Sequence, residues 1–208
     1  LFNQWWNEAP ADIVDTSVGT IERDPGFAPL LTGESYADPL DLRDLAATAD
    51  GTLGHAFHDW IVDNGLTEQI AMDYRKFHEF LRSNGTLDGM PEKMQYAILR
   101  GFQTHDFQHV VTGFGSDPAG EIGLQAFCLA QIQFPYFGMW ISVVTTRMTF
   151  HTPDVIVPLM DQITHGWQFG RAVANIQAEP WEQMLDTPVV ELRARYGIAP
   201  EGLAPLAA

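Results

Sequence analysis

Two histidines four residues apart, an aspartate beside the first, and a glutamate twelve residues beyond the second are the part of this chain best suited to chemistry. They stand in Thr104-His105-Asp106-Phe107-Gln108-His109 and at Glu121. On a helix advancing about 100° per residue, His105 and His109 lie about 40° apart, one turn above the other. Asp106 falls within about 100° of His105 and about 60° of His109 on the same wheel. All three can point into one volume, as two-histidine helical sites do when they grip a metal. Glu121 follows an eleven-residue spacer that contains a turn, so it can return antiparallel on a second helix and close the site. Imidazole and carboxylate without thiolate suit Zn, Fe, Mn or Ni. Four protein ligands around a tetrahedral zinc would leave no place for substrate. With Asp106 outside the ligand set, two histidines and one carboxylate would leave positions open, as a catalytic metal requires. The bland alternative is a pair of histidines on a helix surface. Glu121 in a first helical turn is also favoured by the helix dipole whatever else it does.

The elements that must hold these groups read as helices. Residues 1–40 carry many Pro, Gly and Asp residues and predict a loop-rich arm with one short helix. From Leu53 to Leu66, apolar residues at 53, 57, 60, 61 and 66 fit one helical face. Thr67 can cap a second helix running to Arg82, which Ser83-Asn84-Gly85 ends. Pro91 opens a third, running through His109 to Val111. Gly113, Gly115, Ser116 and Asp117 are turn residues, and Asp117 caps a helix with Pro118 at its first position, running to Gln133 before Pro135 breaks it. Pro153 and Pro158 flank the start of a helix to Ile176, and a last one spans Pro180 to Tyr196, with Gly197 as its stop. Strand-like alternation is scarce. The expected fold is all-α: a single-domain helical bundle over 41–208, with the metal between two antiparallel helices.

Composition narrows the function. With 27 acidic against 11 basic residues the net charge is −16, which repels nucleic acid and anionic lipid headgroups alike. Only 18% of residues are charged, so apolar surface is left for a ligand, a partner or a membrane. The most apolar stretch, 127–150, is interrupted by Gln131, Gln133, Pro135 and Arg147 and does not read as a span. The lone Cys128 excludes an internal disulfide and fits a reducing compartment. The chain opens LFNQWW, without a Met start or the order of a signal peptide.

Lesser candidates have ordinary readings beside functional ones. His55, His58 and Asp59 could form an accessory metal site, with solvated helix residues favoured. Asp161 and His165 read as a helix-stabilising pair. Cys128 reads as a buried, inert thiol. Phe134, Tyr136, Phe137, Met139 and Trp140 could line a tunnel mouth or simply fill core. Trp5-Trp6 could touch a membrane interface or pack on the domain.

His-Asp-x-x-His, eleven residues and Glu is a pattern that resembles the signature of the coenzyme Q (ubiquinone) biosynthesis protein 4 family. The likeness extends through HDFQHVVTGFGSDPAGEIGLQAF, Gly51-Thr52-Leu53-Gly54 upstream, and Gln131 to Pro135 downstream. Near the end it includes Trp167, Gly170, Trp181-Glu182, Leu192-Arg193 and Gly197-Ile198. It covers 50–198. The chain departs from the family at Gln125 and Cys128, where charged residues are commoner, and at His55, more often Arg.

The resemblance implies an all-helical fold and a divalent metal held by His105, Asp106, His109 and Glu121. Zn is expected as isolated, with Fe or Mn for redox chemistry. It implies an apolar channel for a polyprenyl chain and a place in ubiquinone formation. The activity it implies is metal-dependent oxidative decarboxylation of a polyprenylated benzoate ring, with Asp106 catalytic. Its alternative is a non-catalytic lipid-binding scaffold organising the other ubiquinone biosynthesis enzymes, with a structural metal. Expected partners are the polyprenylated precursor, those enzymes, a membrane surface met by apolar contact and a second copy in a homodimer, but no nucleic acid. The expected place is the inner membrane, peripheral: its cytoplasmic face in a bacterium, its matrix side in a mitochondrion.

Overall fold

The structure, a computed structural model, describes residues 2–32, 36–199 and 202. Every regular element among them is a helix. The chain divides into two compact units, Leu1–Asp106 with Ala178–Asp186, and Phe107–Gln177 with Thr187–Ala208. The all-α expectation holds, but the division does not fall at residue 40, and 1–40 is not a loop-rich arm. It contains α1 (Phe2–Glu8), α2 (Ala11–Arg23) and α3 (Ala28–Thr32). Pro10 sits just ahead of α2, where a missing N–H costs nothing, so it starts the helix that it seemed to forbid. Asp24 then turns the chain by accepting from the N–H groups of Gly26 and Phe27. Trp6, stacked edge-on against Trp5, is buried.

The rest of the first unit holds α4 (Leu42–Ala46), α5 (Leu53–Asp63), α6 (Tyr74–Ser83) and most of α7 (Glu92–Thr112). Thr52 caps α5 and its apolar face, Leu53, Phe57 and Ile61, is buried, as the spacing predicts. Thr67 does not open α6. Asp73 does, accepting from the N–H groups of Arg75 and Lys76. Residues 67–71 are turns, and the Ile70 carbonyl is taken by the Leu40 N–H. Aspartate is the better cap, and it stands nearer the start of the apolar run. Buried Arg100 on α7 makes two parallel bonds to Glu182, one of 2.8 Å from Nη2 to Oε2. That bidentate geometry compensates two desolvated charges.

The second unit takes the end of α7, then α8 (Pro118–Ile132), α9 (Pro135–His151), α10 (Ile156–Ala172) and α11 (Val189–Tyr196). The last helix starts after Pro188 rather than at Pro180, where only a 3-10 turn forms, because Pro188 lacks the N–H that a helix interior needs. Backbone meets backbone where α8 packs on α10. A Cβ added at Gly166 would run into the Gly123 carbonyl, and one at Gly170 into that of Phe127. Phe127 is fully buried and stacks against Phe114 and Phe169. By contrast α9 buries none of its residues, and Trp140, Val143 and Phe150 are exposed on it. Val157, Met160 and Trp167 are exposed on α10. No helix among the described residues is long and apolar enough to cross a membrane.

Candidate metal centre

His105 and His109 stand one turn apart on α7, and Glu121 lies in the first turn of α8. The boundary between the units falls within α7, just after Asp106, and α7 runs unbroken through it. Asp117 makes α8 begin where it must: its carboxylate accepts from the N–H groups of Ala119 and Gly120, with Pro118 at the first position. Gly120 lies so close to Gly115 that a side chain on it would strike backbone, and Gly113 turns with φ +86°. This compact loop buries Phe114 and brings its carbonyl back to α7.

That carbonyl decides the chemistry of His109. A carbonyl oxygen only accepts, so Nδ1–H of His109 donates to it across 3.0 Å. In the neutral ring Nε2 is then a bare lone pair, and it faces Oε1 of Glu121 at 3.2 Å. Two acceptors held that close, with the His109 side chain wholly buried, require a cation between or upon them. A proton on Nε2 is one answer and a metal ion is the other. Donors about 2.0–2.1 Å from a common zinc stand roughly 3.4 Å apart at a tetrahedral angle, so the spacing fits a metal. Orientation of a ligand imidazole by a backbone carbonyl is how such nitrogens are fixed. One ligand atom from each of His105, His109 and Glu121 lies within 4.8 Å of the others, with His109 buried and the other two half-buried.

Asp106 is not part of that group. Its charge is felt at Tyr74, whose phenol is pushed up to about 12, chiefly by burial and then by the Asp106 carboxylate. His55, His58 and Asp59 assemble no comparable group: His55 Nδ1 bonds the Thr48 carbonyl and His58 pairs with its neighbour Asp59. His165 buries Nδ1 without a hydrogen-bond partner instead of pairing with Asp161.

Beyond Glu121, α8 turns a polar face inward. Cys128 Sγ–H donates to Gln108 Oε1 at 3.2 Å, and Gln177 Nε2 reaches both Sγ and Gln131 Oε1. Gln131 also accepts from the Ile176 N–H and donates to the Ala174 carbonyl. Phe127 turns away from this polar face, into the core against Phe114 and Phe169. At the end of α7, Arg193 donates to the carbonyls of Val110 and Val111, satisfying backbone groups that a helix terminus leaves open. Neither the Phe114 carbonyl nor Arg193 carries a signal in the motif spacing: the first is a main-chain group, which a pattern of side-chain types does not record, and the second reaches α7 from a distant part of the chain.

Burial pushes the Cys128 thiol up to about 12, against the weaker opposing effect of its bond from Gln177. The sign follows directly. A pKa raised in the folded state contributes stability below the unfolded value, near 8.5, and loses it as pH climbs toward about 12. Cys128→Ala is expected to show a shallower loss of Tm between pH 9 and 12 than the parent. A thiol reagent at pH 8 should find no reactive sulfur until denaturant is added; rapid labelling of native protein would contradict the burial.

Residues 35–201 match the family described as "Coenzyme Q (ubiquinone) biosynthesis protein Coq4". The mitochondrial ubiquinone biosynthesis protein COQ4 of Pyricularia oryzae is 27% identical over 162 residues, 77% of this chain and 48% of that protein. The mitochondrial counterpart in Yarrowia lipolytica is 27% identical over 176 residues, 82% of this chain and 58% of that one. The chain thus spans about half the length of the curated relatives it matches. A crystal structure of a Nostoc punctiforme protein, described as one of ubiquinone biosynthesis, superposes with a TM-score of 0.70 at 27% identity, covering 89% of this chain and 81% of that one.

Proposed function

The chain belongs to the coenzyme Q (ubiquinone) biosynthesis protein Coq4 family, and on that premise we propose that it acts in ubiquinone formation as a metal-dependent enzyme. The reaction is oxidative decarboxylation of a polyprenylated benzoate ring, with a hydroxyl taking the place of the carboxyl. Its balance needs dioxygen, two electrons and two protons, and yields the phenol, carbon dioxide and water. The observation that carries the reading is the convergence of His105, His109 and Glu121. Three protein donors, rather than four, favour a metal with open positions over a closed structural one. A bound Fe or Mn would supply the redox chemistry and a Lewis acid for the ring's oxygens.

The chain's own groups have separable tasks. His109, oriented by the Phe114 carbonyl, and His105 present neutral nitrogens, and Glu121 adds the charge that balances the cation. Asp106, next to His105 in sequence and within electrostatic reach of the Tyr74 phenol, would hold or pass a proton. The exposed apolar side chains Trp140, Val143, Phe150, Val157 and Met160 support a lipid-bearing substrate and peripheral contact with a membrane; the curated relatives are named as mitochondrial proteins.

The deciding experiment is anaerobic purification with elemental analysis. Turnover of a prenylated hydroxybenzoate carrying a labelled carboxyl then follows, read as labelled carbon dioxide. Stoichiometric Fe or Mn with release of label is the expected result. Bound metal with no release under dioxygen and reductant would return the chain to the scaffold reading, with a structural metal. Asp106→Asn should keep its metal yet lose at least about 100-fold in turnover, the range of a lost acid–base group. Parental turnover in that variant would remove Asp106 from the mechanism.

A further inference from the structure

Gln125 has no role in the function proposed so far, yet its setting is unusual. It is only 7% exposed, and its Oε1 has no hydrogen-bond partner. Leaving a buried amide oxygen unpaired is costly, and native folds rarely do so without a use for it. Its direction follows from helix register. Glu121, Gln125 and Cys128 stand at i, i+4 and i+7, within about 60° on the wheel, so they share one face of α8. The residues on either side both meet α7: Glu121 at His109 and Cys128 at Gln108. Gln125 lies between them on that face. Helical side chains lean toward the helix N-terminus, so the Gln125 head leans back toward the turn that carries Glu121.

The polar cluster further along α8 is closed on itself. Gln108, Cys128, Gln177 and Gln131 bond to one another, and none bonds Gln125 Oε1. The unpaired atom is an acceptor, so what it lacks is an O–H or N–H donor. We propose that Gln125 is a specificity-determining residue, its amide oxygen accepting a hydrogen bond from a ring hydroxyl of the aromatic acid held at the His105–His109–Glu121 centre. The inference rests on the metal reading given above and adds to it the demand for a hydroxylated ring. An unhydroxylated benzoate would leave the oxygen buried and unpaired, and a site built around a buried polar group rejects such an analogue.

The test uses the full chain loaded with Zn, and calorimetric Kd values for benzoate, 3-hydroxybenzoate and 4-hydroxybenzoate. The parent should bind at least one hydroxylated acid about 10-fold more tightly than benzoate, the worth of one buried hydrogen bond. Gln125→Met fills a similar volume without a good acceptor. It should bring that ratio to about 1, with zinc content and benzoate affinity unchanged. Gln125→Glu keeps an acceptor and charges it, so it should hold the ratio at the parental value or above. That variant decides the matter if the Met variant does not fold. A parental ratio near 1, a ratio unchanged in Gln125→Met, or a ratio lost in Gln125→Glu with zinc retained would overturn the assignment of Gln125 alone. Failure of the parent to take up zinc would overturn the metal reading, and this inference with it.

Discussion

His109→Ala is expected to lose its metal, with affinity falling by 100-fold or more. The ring supplies a neutral nitrogen whose direction is set by the Phe114 carbonyl, and no neighbouring carboxylate can reproduce it. Even loss of a group that merely orients a ligand costs about 10–100-fold, so loss of the ligand itself should cost at least the upper figure. Stability gives an independent reading. A metal that binds only the folded chain adds RT ln(1 + [M]/Kd), about 2.7 kcal/mol at 100 times Kd. The parent's Tm should therefore rise on metal addition, and that of His109→Ala should not. The metal-free variant will itself be less stable, because His109 is 1% exposed and its removal leaves a void. The increment on adding metal is accordingly the quantity to compare. His58→Ala, on α5, where His58 pairs with its neighbour Asp59, serves as a control and should keep full metal content. Full occupancy in both His105→Ala and His109→Ala would sink the metal assignment.

The second large effect concerns two glycines of opposite sign. Gly101 and Gly166 are both helix-interior residues, on α7 and α10. Helix propensity alone says that alanine should improve each by up to about 1 kcal/mol. At Gly101 an added Cβ meets nothing within 4 Å, so Gly101→Ala should be neutral to stabilising. At Gly166 the same methyl would run into the backbone of Gly123 on α8, and backbone in the middle of a packed helix has nowhere to go. Overpacking of that kind costs about 1–3 kcal/mol or more, enough to lower the Tm of a chain this size by roughly 5–10 °C. Thermal melts of the two variants side by side test the packing. A Gly166→Ala protein as stable as Gly101→Ala would mean that α8 and α10 are not in backbone contact. Because α8 carries Glu121, the Gly166 variant should also weaken metal binding, while Gly101→Ala should not.

Much of this protein is already determined by local sequence. The 3.6-residue spacing of Leu53, Phe57 and Ile61, the Asp117-Pro118 cap, and the stops at Gly85 and Gly197 act over one or two turns, so they can be read without the fold. The His-Asp-x-x-His spacing likewise brings His105 and His109 onto one side of a helix by geometry alone. Local signals failed where a longer-range partner intervened. Thr67 is an adequate cap, but Asp73 is better and Ile70 is tied to Leu40. Pro10 and Gly19 made the first forty residues read as loop, whereas burial of Ile21 stabilises α2 regardless.

The site itself needed tertiary structure. Spacing allows Asp106 to share the volume of its neighbours. The fold gathers His105, His109 and Glu121, with Asp106 outside that group and its charge acting on Tyr74. The tautomer of His109 is set by a carbonyl that the turn at Gly113 and Gly115 delivers, and main-chain atoms leave no mark in a pattern of side-chain types. The position of α8 depends on Gly123 and Gly166 meeting across more than forty residues of chain, a contact that neither residue announces alone. Local sequence sets which backbone each segment prefers, because those energies act within a turn. Which groups face one another across helices is decided by packing, where the lost volume of a single Cβ counts for more than propensity.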